Sequence, residues 1–213
     1  MWWQPRRPSF IAEPRDRDLV RLYWPVALRS AFDALFALDD VMAEVVASST
    51  QPALGAIRLA WWREALERLD AEAPPPEPRL QAVAAELLSR GVTRASLAGI
   101  PDGWAPLLDE KPETDLVAVR GVALFEAAAC LLGATAPTLA EAGSLYALAD
   151  ARRHGLFRIE ARVSPMHFPR RLRPLTAFAA LAARDLRKYQ VEPEATPGRA
   201  LALIRHRLTG RIA

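Results

Sequence analysis

The segment from Pro25 to Ala47 repeats apolar residues at the spacing of an α-helix, which is the strongest constraint on the fold of this chain. On a helical wheel, Phe32, Leu35 and the other apolar residues form one broad arc, while charged residues share the opposite face. The rest of the chain is rich in Ala and Leu and has no convincing alternating run of β-branched residues. The sequence therefore predicts an all-α protein.

The length of 213 residues is enough for one well-filled hydrophobic core, so we expect a single domain over residues 1–213. Residues 1–14 are expected to form a flexible tail. Gly99, Pro101, Gly103 and Pro106 predict that residues 91–111 are broken into short turns. Residues 155–171 are predicted to form a loop, and three consecutive prolines predict a stiff linker at 72–78. Helices are predicted at 16–24, 25–47, 51–70, 79–90, 113–132, 138–154, 172–190 and 197–208, with Asp16 as the first N-cap.

Asp39 breaks the apolar arc of the second predicted helix, because it projects between Phe32 and Val46. A carboxylate in such a position needs a partner, a wet cavity or a shifted pKa. Arg58 is similarly misplaced among apolar residues of the next helix. We therefore predict that Asp39 and Arg58 form an ion pair between these two helices.

Positive charge is concentrated in the last third of the chain. Residues 152–213 contain 14 Lys and Arg against 4 Asp and Glu, which leaves the preceding residues with a net negative charge. This asymmetry favours an acidic protein partner or an anionic membrane surface, although a solvated basic face has the same composition. Nucleic acid is not expected as a partner, because no stacking aromatic residues accompany the basic RHRLTGR segment.

Several other classes of protein are disfavoured. Cys130 is the single cysteine, so an internal disulfide or a cysteine-based zinc cluster is excluded. The chain has neither the apolar stretch of a transmembrane helix nor the apolar core of a secretory signal. We expect a cytoplasmic protein, with peripheral association at the inner membrane as a further possibility.

Residues 23–69 resemble the N-terminal part of the squalene and phytoene synthase family. The resemblance is carried by Pro25 and Arg29 before an ALFA segment, and by the GxIRxxWWR pattern of the following helix. It continues weakly through GVALFEAAACLLG, ALADARRHG and FPRRL. It implies an all-α bundle of the isoprenoid synthase type with a central cavity, here truncated at the C-terminus relative to usual members.

In active members of the family, two aspartate-rich motifs bind magnesium ions and the diphosphates of two prenyl substrates. An ungapped alignment places Ala43 and Ala47 at the first-motif aspartates, and Asp150 stands alone in the second motif. These departures resemble the non-catalytic branch of the family, which includes a mitochondrial respiratory complex I assembly factor and its bacterial relatives. LFALDDVMAEV and IRLAWWREAL are more similar to that branch than to a synthase.

Several functions therefore remain open. The resemblance favours a binding or assembly protein without prenyl-transfer activity or cofactor, which contacts an acidic protein or a membrane surface through its basic C-terminal third. A protein that binds a prenyl diphosphate or a lipid without turnover is a further possibility. The alternative is an active magnesium-dependent prenyltransferase that condenses two prenyl diphosphates head to head. For that alternative, the candidate magnesium ligands are Asp39, Asp40, Glu44 and Asp150, the candidate diphosphate-binding residues are Arg29, Arg58, Arg152 and Arg153, and the candidate cavity-lining residues are Phe32, Phe36, Trp62 and Tyr146.

Overall fold

The computed structural model describes residues 15–69, 71–156 and 163–212, and most of them are helical. The predicted all-α class is confirmed, whereas the predicted tail 1–14 lies outside the described residues. Within the described ranges, none of the helices combines the length and apolar character needed to cross a bilayer. The α-helices are α1 (Asp16–Arg21), α2 (Arg29–Ser48), α3 (Pro52–Arg68), α4 (Pro78–Glu86), α5 (Arg94–Trp104), α6 (Thr114–Leu132), α7 (Leu139–Arg153), α8 (Arg173–Leu186) and α9 (Pro197–Thr209).

The helix ends follow from local sequence. Pro52 and Pro197 occupy the first helical positions of α3 and α9, where a missing N–H group costs nothing. Gly133 and Gly210 end α6 and α9 at φ values of 60° and 71°, which residues with a side chain rarely adopt. A short 3-10 turn, Val26–Leu28, precedes α2.

The prediction that residues 91–111 are broken into short turns is wrong for Arg94–Trp104, which form the helix α5. The Thr93 side chain caps this helix by accepting a hydrogen bond from the Ser96 backbone N–H at 3.2 Å. Leu97, Ile100 and Trp104 then fall on one face and are buried. That burial offsets the backbone hydrogen bond lost at Pro101, which lies inside the helix.

Two smaller differences concern the N-cap of α1 and the segment before α8. Arg15, and not Asp16, is the N-cap of α1, and the Asp16 side chain instead forms tertiary hydrogen bonds. Part of the loop predicted over 155–171 is the strand β1 (Met166–His167). It pairs antiparallel with β2 (Arg211–Ile212), which closes the C-terminal end against α8.

The closest helix contact joins α6 and α7 through two glycines. A Cβ atom placed on Gly121 would lie 2.0 Å from the Gly143 carbonyl oxygen, and one on Gly143 would lie 2.4 Å from the Gly121 carbonyl oxygen. Neither helix can carry a side chain at this crossing. The close approach brings Arg120, next to Gly121, against the residues of α7.

We predict that Gly121→Ala lowers the free energy of unfolding by about 3 kcal/mol or more, because the added methyl group would clash with backbone. Gly198→Ala is the matched control, since its Cβ would meet the ends of two side chains, Arg184 at 3.0 Å and Glu192 at 3.2 Å, and no backbone atom. Equilibrium unfolding in urea measures both variants. Equal stability of the two variants would contradict the packing described for α6 and α7.

Candidate functional site

A cavity of about 620 Å³ lies between α1, α2, α7, α8 and the chain that leads into α9. Its walls carry many charged side chains. Asp39 and Asp40 face it from α2, Asp150 faces it from α7, and Arg17 faces it from α1. A cavity of this size, bordered by charged groups from several helices, is the best candidate for a functional site in the described part of the chain.

Arg120 on α6 bridges the carboxylates of α2 and α7. Its Nη1 donates to both oxygens of Asp39 at 3.0 Å, and its Nη2 donates to Asp150 Oδ2 and to the Ala147 carbonyl. Trp104 completes the environment of Asp39 by donating its indole N–H to Oδ1 at 2.7 Å. Arg120 and Asp39 are both buried, so neither charge is stable in this core without the other.

Arg120, Asp39 and Asp150, with Trp104 and Tyr146 beside them, form one cluster, and its charges stabilise one another. Burial by itself would lower the pKa of Arg120, but the adjacent charges of Asp39 and Asp150 raise it above its ordinary value. Burial opposes ionisation of Asp150, yet Arg120 and the hydrogen bond from His154 hold the pKa of that carboxyl well below its usual range. Burial raises the pKa of Tyr146, and the nearby carboxylates raise it further. Arg120 and Asp150 are therefore charged and Tyr146 is neutral at ordinary pH.

Aromatic rings surround the same arginine. The guanidinium carbon of Arg120 lies 4.0 Å from the centre of a Trp104 ring and 5.7 Å from that of Tyr146. Tyr146 in turn packs against Phe178, with ring centres 5.5 Å apart. The cluster is therefore held by packing as well as by hydrogen bonds.

A second buried arginine closes the other side of the cavity. Arg199 on α9 donates from Nε to Asp16 Oδ2 at 2.7 Å and from Nη2 to Asp185 Oδ2 at 3.1 Å. Asp185 also accepts from Arg153 Nη2 at 2.6 Å. This network joins α1, α7, α8 and α9 through two carboxylates and two guanidinium groups.

The structure brings together three of the four candidate magnesium ligands. Asp39, Asp40 and Asp150 line the cavity, but Asp40 forms a two-pronged ion pair with Arg17, at 2.8 Å for Nη2 to Oδ1. Glu44 is exposed, does not line the cavity and pairs with Arg79 at 3.3 Å. Arg17 on α1 is therefore the counter-ion of Asp40 on α2.

One of the four candidate diphosphate-binding residues, Arg153, lines the cavity. Arg29 donates to the backbone carbonyls of Trp24 and Leu22, and Arg152 donates to carbonyls at the end of α8. These two arginines therefore serve to fix neighbouring chain segments. Arg58 is exposed and lies outside the cavity lining.

The prediction that Asp39 pairs with Arg58 is wrong. Arg58 donates to the Ser48 hydroxyl at 3.0 Å on the surface, and Asp39 pairs with Arg120. The hypothesis used the nearest misplaced arginine in the sequence, whereas packing of α2 against α6 supplies a more distant one. A signal for Arg120 was present, because it is the single charged residue in the apolar run 116–125.

Of the four candidate cavity-lining residues, Tyr146 lies on the wall. Phe32 and Phe36 do not line the cavity; they pack against Phe178, which does, with ring centres 6.2 and 4.9 Å away. Trp62 is buried on α3 and its ring contacts Trp61 edge to face. The aromatic residues of α2 therefore support the wall without forming it.

The cavity residues do not fit the magnesium ions that the family resemblance implies. Such a site needs several carboxylate oxygens free to converge on one cation. Here Asp39 and Asp150 accept hydrogen bonds from Arg120, and Asp40 accepts from Arg17. Across the described ranges, no group of three or more His, Cys, Asp or Glu side chains is placed to hold a metal ion.

Comparisons of this chain with protein-family models, with curated proteins and with solved structures found no match.

We predict that Arg120→Met lowers the free energy of unfolding by about 3–5 kcal/mol, because it leaves the Asp39 carboxylate buried without its cation. The double variant Asp39→Asn, Arg120→Met should recover much of that loss, since it removes both charges. Urea unfolding measures both. Arg68→Met is the control, because Arg68 pairs with Glu64 on the surface and its loss should cost less than about 1 kcal/mol. A single Arg120→Met variant as stable as this control would contradict the described role of Arg120.

We predict a small pH dependence at His154. Its hydrogen bond to Asp150 raises the pKa of His154 above the ordinary histidine value of about 6.5. The resulting stabilisation is present below pH 6.5 and is lost as the pH rises through the higher folded-state pKa. Wild-type protein should therefore be more stable than His154→Gln at pH 6 and should lose that advantage by about pH 8. The difference in the free energy of unfolding should be less than about 1 kcal/mol, because the histidine is exposed. Urea midpoints across this range measure the difference, and a constant difference would exclude the coupling.

Proposed function

We propose that this chain is a non-catalytic protein of the squalene and phytoene synthase type, which acts as a binding or assembly protein. The proposal includes the finer fold assignment, a helical bundle of the isoprenoid synthase type. The observation that carries it is the position of Arg120 between Asp39 and Asp150. In an enzyme of this type, facing carboxylates would bind cations, and here a guanidinium group from the protein neutralises them.

The energetics of the cluster support the same conclusion. Binding of a magnesium ion at Asp39 or Asp150 would require displacement of Arg120, whose own charge is buried. A buried arginine without its carboxylates is strongly destabilising. Arg17 holds Asp40 in the same way at the cavity edge. A cavity organised by arginine–carboxylate pairs is better suited to a binding or assembly protein than to an enzyme that ionises a diphosphate with the help of a metal ion.

The resemblance also suggests a biological role, and we propose participation in the biogenesis of a respiratory complex. The proposal rests on the similarity of α2 and α3 to the assembly-factor branch of the family.

A second candidate is the magnesium-dependent head-to-head prenyltransferase. It is favoured by one observation, which is that Asp39, Asp40, Asp150 and Arg153 line a single cavity. This function would require the arginines to release the carboxylates when substrate binds.

We predict that the full chain, mixed with Mg²⁺ and either farnesyl or geranylgeranyl diphosphate, releases pyrophosphate no faster than a mixture without protein. Calorimetry on the same samples reports binding. Binding without pyrophosphate release would support a carrier or sensor of prenyl compounds and keep the non-catalytic proposal.

Two variants of α2 make this experiment decisive. Asp40→Asn removes a carboxylate from the cavity edge, and Asp33→Asn removes one that pairs with Arg21 outside the cavity. Turnover that is retained in Asp33→Asn but lost in a folded Asp40→Asn protein would overturn our proposal in favour of the enzyme.

Deletion of the coding sequence in its own host tests the biological role. We expect less assembled respiratory complex on native gels, with recovery by wild-type protein and by Asp40→Asn alike. An unchanged amount of complex after deletion would exclude the role in biogenesis. Recovery by wild-type protein but not by folded Asp40→Asn would favour an enzyme.

A further inference from the structure

The helix α9 buries two polar side chains and exposes three large apolar ones. Its buried residues are Arg199, Leu203 and His206. On the opposite face, Leu201, Ile204 and Leu208 are 67%, 50% and 73% exposed. Their spacing of three and four residues aligns them in one stripe along the helix. This is the reverse of the usual arrangement for a helix at the surface of a globular protein.

Specific hydrogen bonds account for the buried polar side of α9. Arg199 donates to Asp16 and Asp185, as described above. His206 lies 2.9 Å from the Thr176 hydroxyl through Nε2 and 3.2 Å from the Arg211 carbonyl through Nδ1. Rotation of the helix would break these buried contacts, so the apolar stripe is held outward. A protruding apolar stripe that is held in place marks a binding surface.

The surroundings of the stripe are basic. Arg205 and Arg207 flank it on α9, and both are exposed. Arg207 also lies over the Tyr23 ring at 4.4 Å, and Leu208, Tyr23 and Arg170 border one shallow depression. The segments 163–184 and 195–212, which build this side of the molecule, contain no Asp or Glu. We call Leu201, Ile204, Leu208, Arg205, Arg207 and Arg170 the α9 face.

We propose that the α9 face binds the surface of an anionic lipid bilayer. Apolar side chains on the outer side of a surface helix can enter the boundary between headgroups and acyl chains, while flanking arginines contact lipid phosphates. No carboxylate of the described residues pairs with Arg170, Arg205 or Arg207, so their charge is available for such contacts. Leu208 borders the shallow depression, but all three apolar residues project outward from a single helix, which favours a lipid surface over a partner protein.

A second exposed apolar stripe, on α3, differs from the α9 face in its charge. Leu54, Ile57 and Trp61 on α3 are also exposed, but Arg58 is the single charged residue between Pro52 and Trp62. With one exposed arginine, against three on the α9 face, this stripe should attract anionic lipid less strongly. It therefore serves as a matched control of similar apolar character.

The test is sedimentation of the full chain with large unilamellar vesicles. We expect the protein to pellet with vesicles of phosphatidylcholine and phosphatidylglycerol, less with phosphatidylcholine alone, and less at high salt, because screening weakens the arginine contacts. Ile204→Gln combined with Leu208→Gln should reduce the partition coefficient at least about tenfold. The control Leu54→Gln with Ile57→Gln should leave it unchanged. Circular dichroism confirms that both variants fold.

Three results would overturn this inference. The first is an absence of pelleting with either vesicle type. The second is an equal loss of binding in the α3 control. The third is a dimer in light scattering, without vesicle binding, that the α9 variant dissociates, since the face would then bind a second copy of the chain. The cavity variant Asp40→Asn and its control outside the cavity, Asp33→Asn, should both pellet like wild-type protein, so this inference stands or fails separately from the proposed function.

Discussion

Burial of a guanidinium group in an all-helical core is the constraint on which most of this structure depends. The backbone of a helix carries no full negative charge, so a buried arginine must obtain its counter-charges from carboxylate side chains. Arg120 obtains them from α2 and α7, and Arg199 obtains them from α1 and α8. These two arginines set which helices surround the cavity and how each helix is rotated.

The same two arginines connect the cavity to the outer surface. Arg199 borders the cavity on the inner side of α9, and its ion pairs hold that helix with its apolar stripe outward. Arg120 satisfies the carboxylates that would otherwise be free to bind a cation. The same groups therefore hold the helices together and occupy the carboxylates that face the cavity.

The sequence predicted part of the site for sound physical reasons. Asp39 interrupts an apolar arc, and the structure places it, buried, against a cation as such a residue requires. The identity of the cation was not predictable from local pattern, since Arg120 is 81 residues away and Arg58 is much nearer. The helix α5 was missed for a related reason, because Gly and Pro are local signals of turns and the burial of Leu97 and Trp104 outweighs them.

By itself, the sequence determined the all-α class, most helix boundaries and the concentration of positive charge after residue 151, because each depends on periodicity, capping or composition over short distances. Tertiary structure alone decided which charges meet. The glycine contact between α6 and α7 sets the position of Arg120, and the ion pairs of Arg199 set the outward face of α9. These outcomes depend on how helices distant in sequence pack, and no local pattern contains that information.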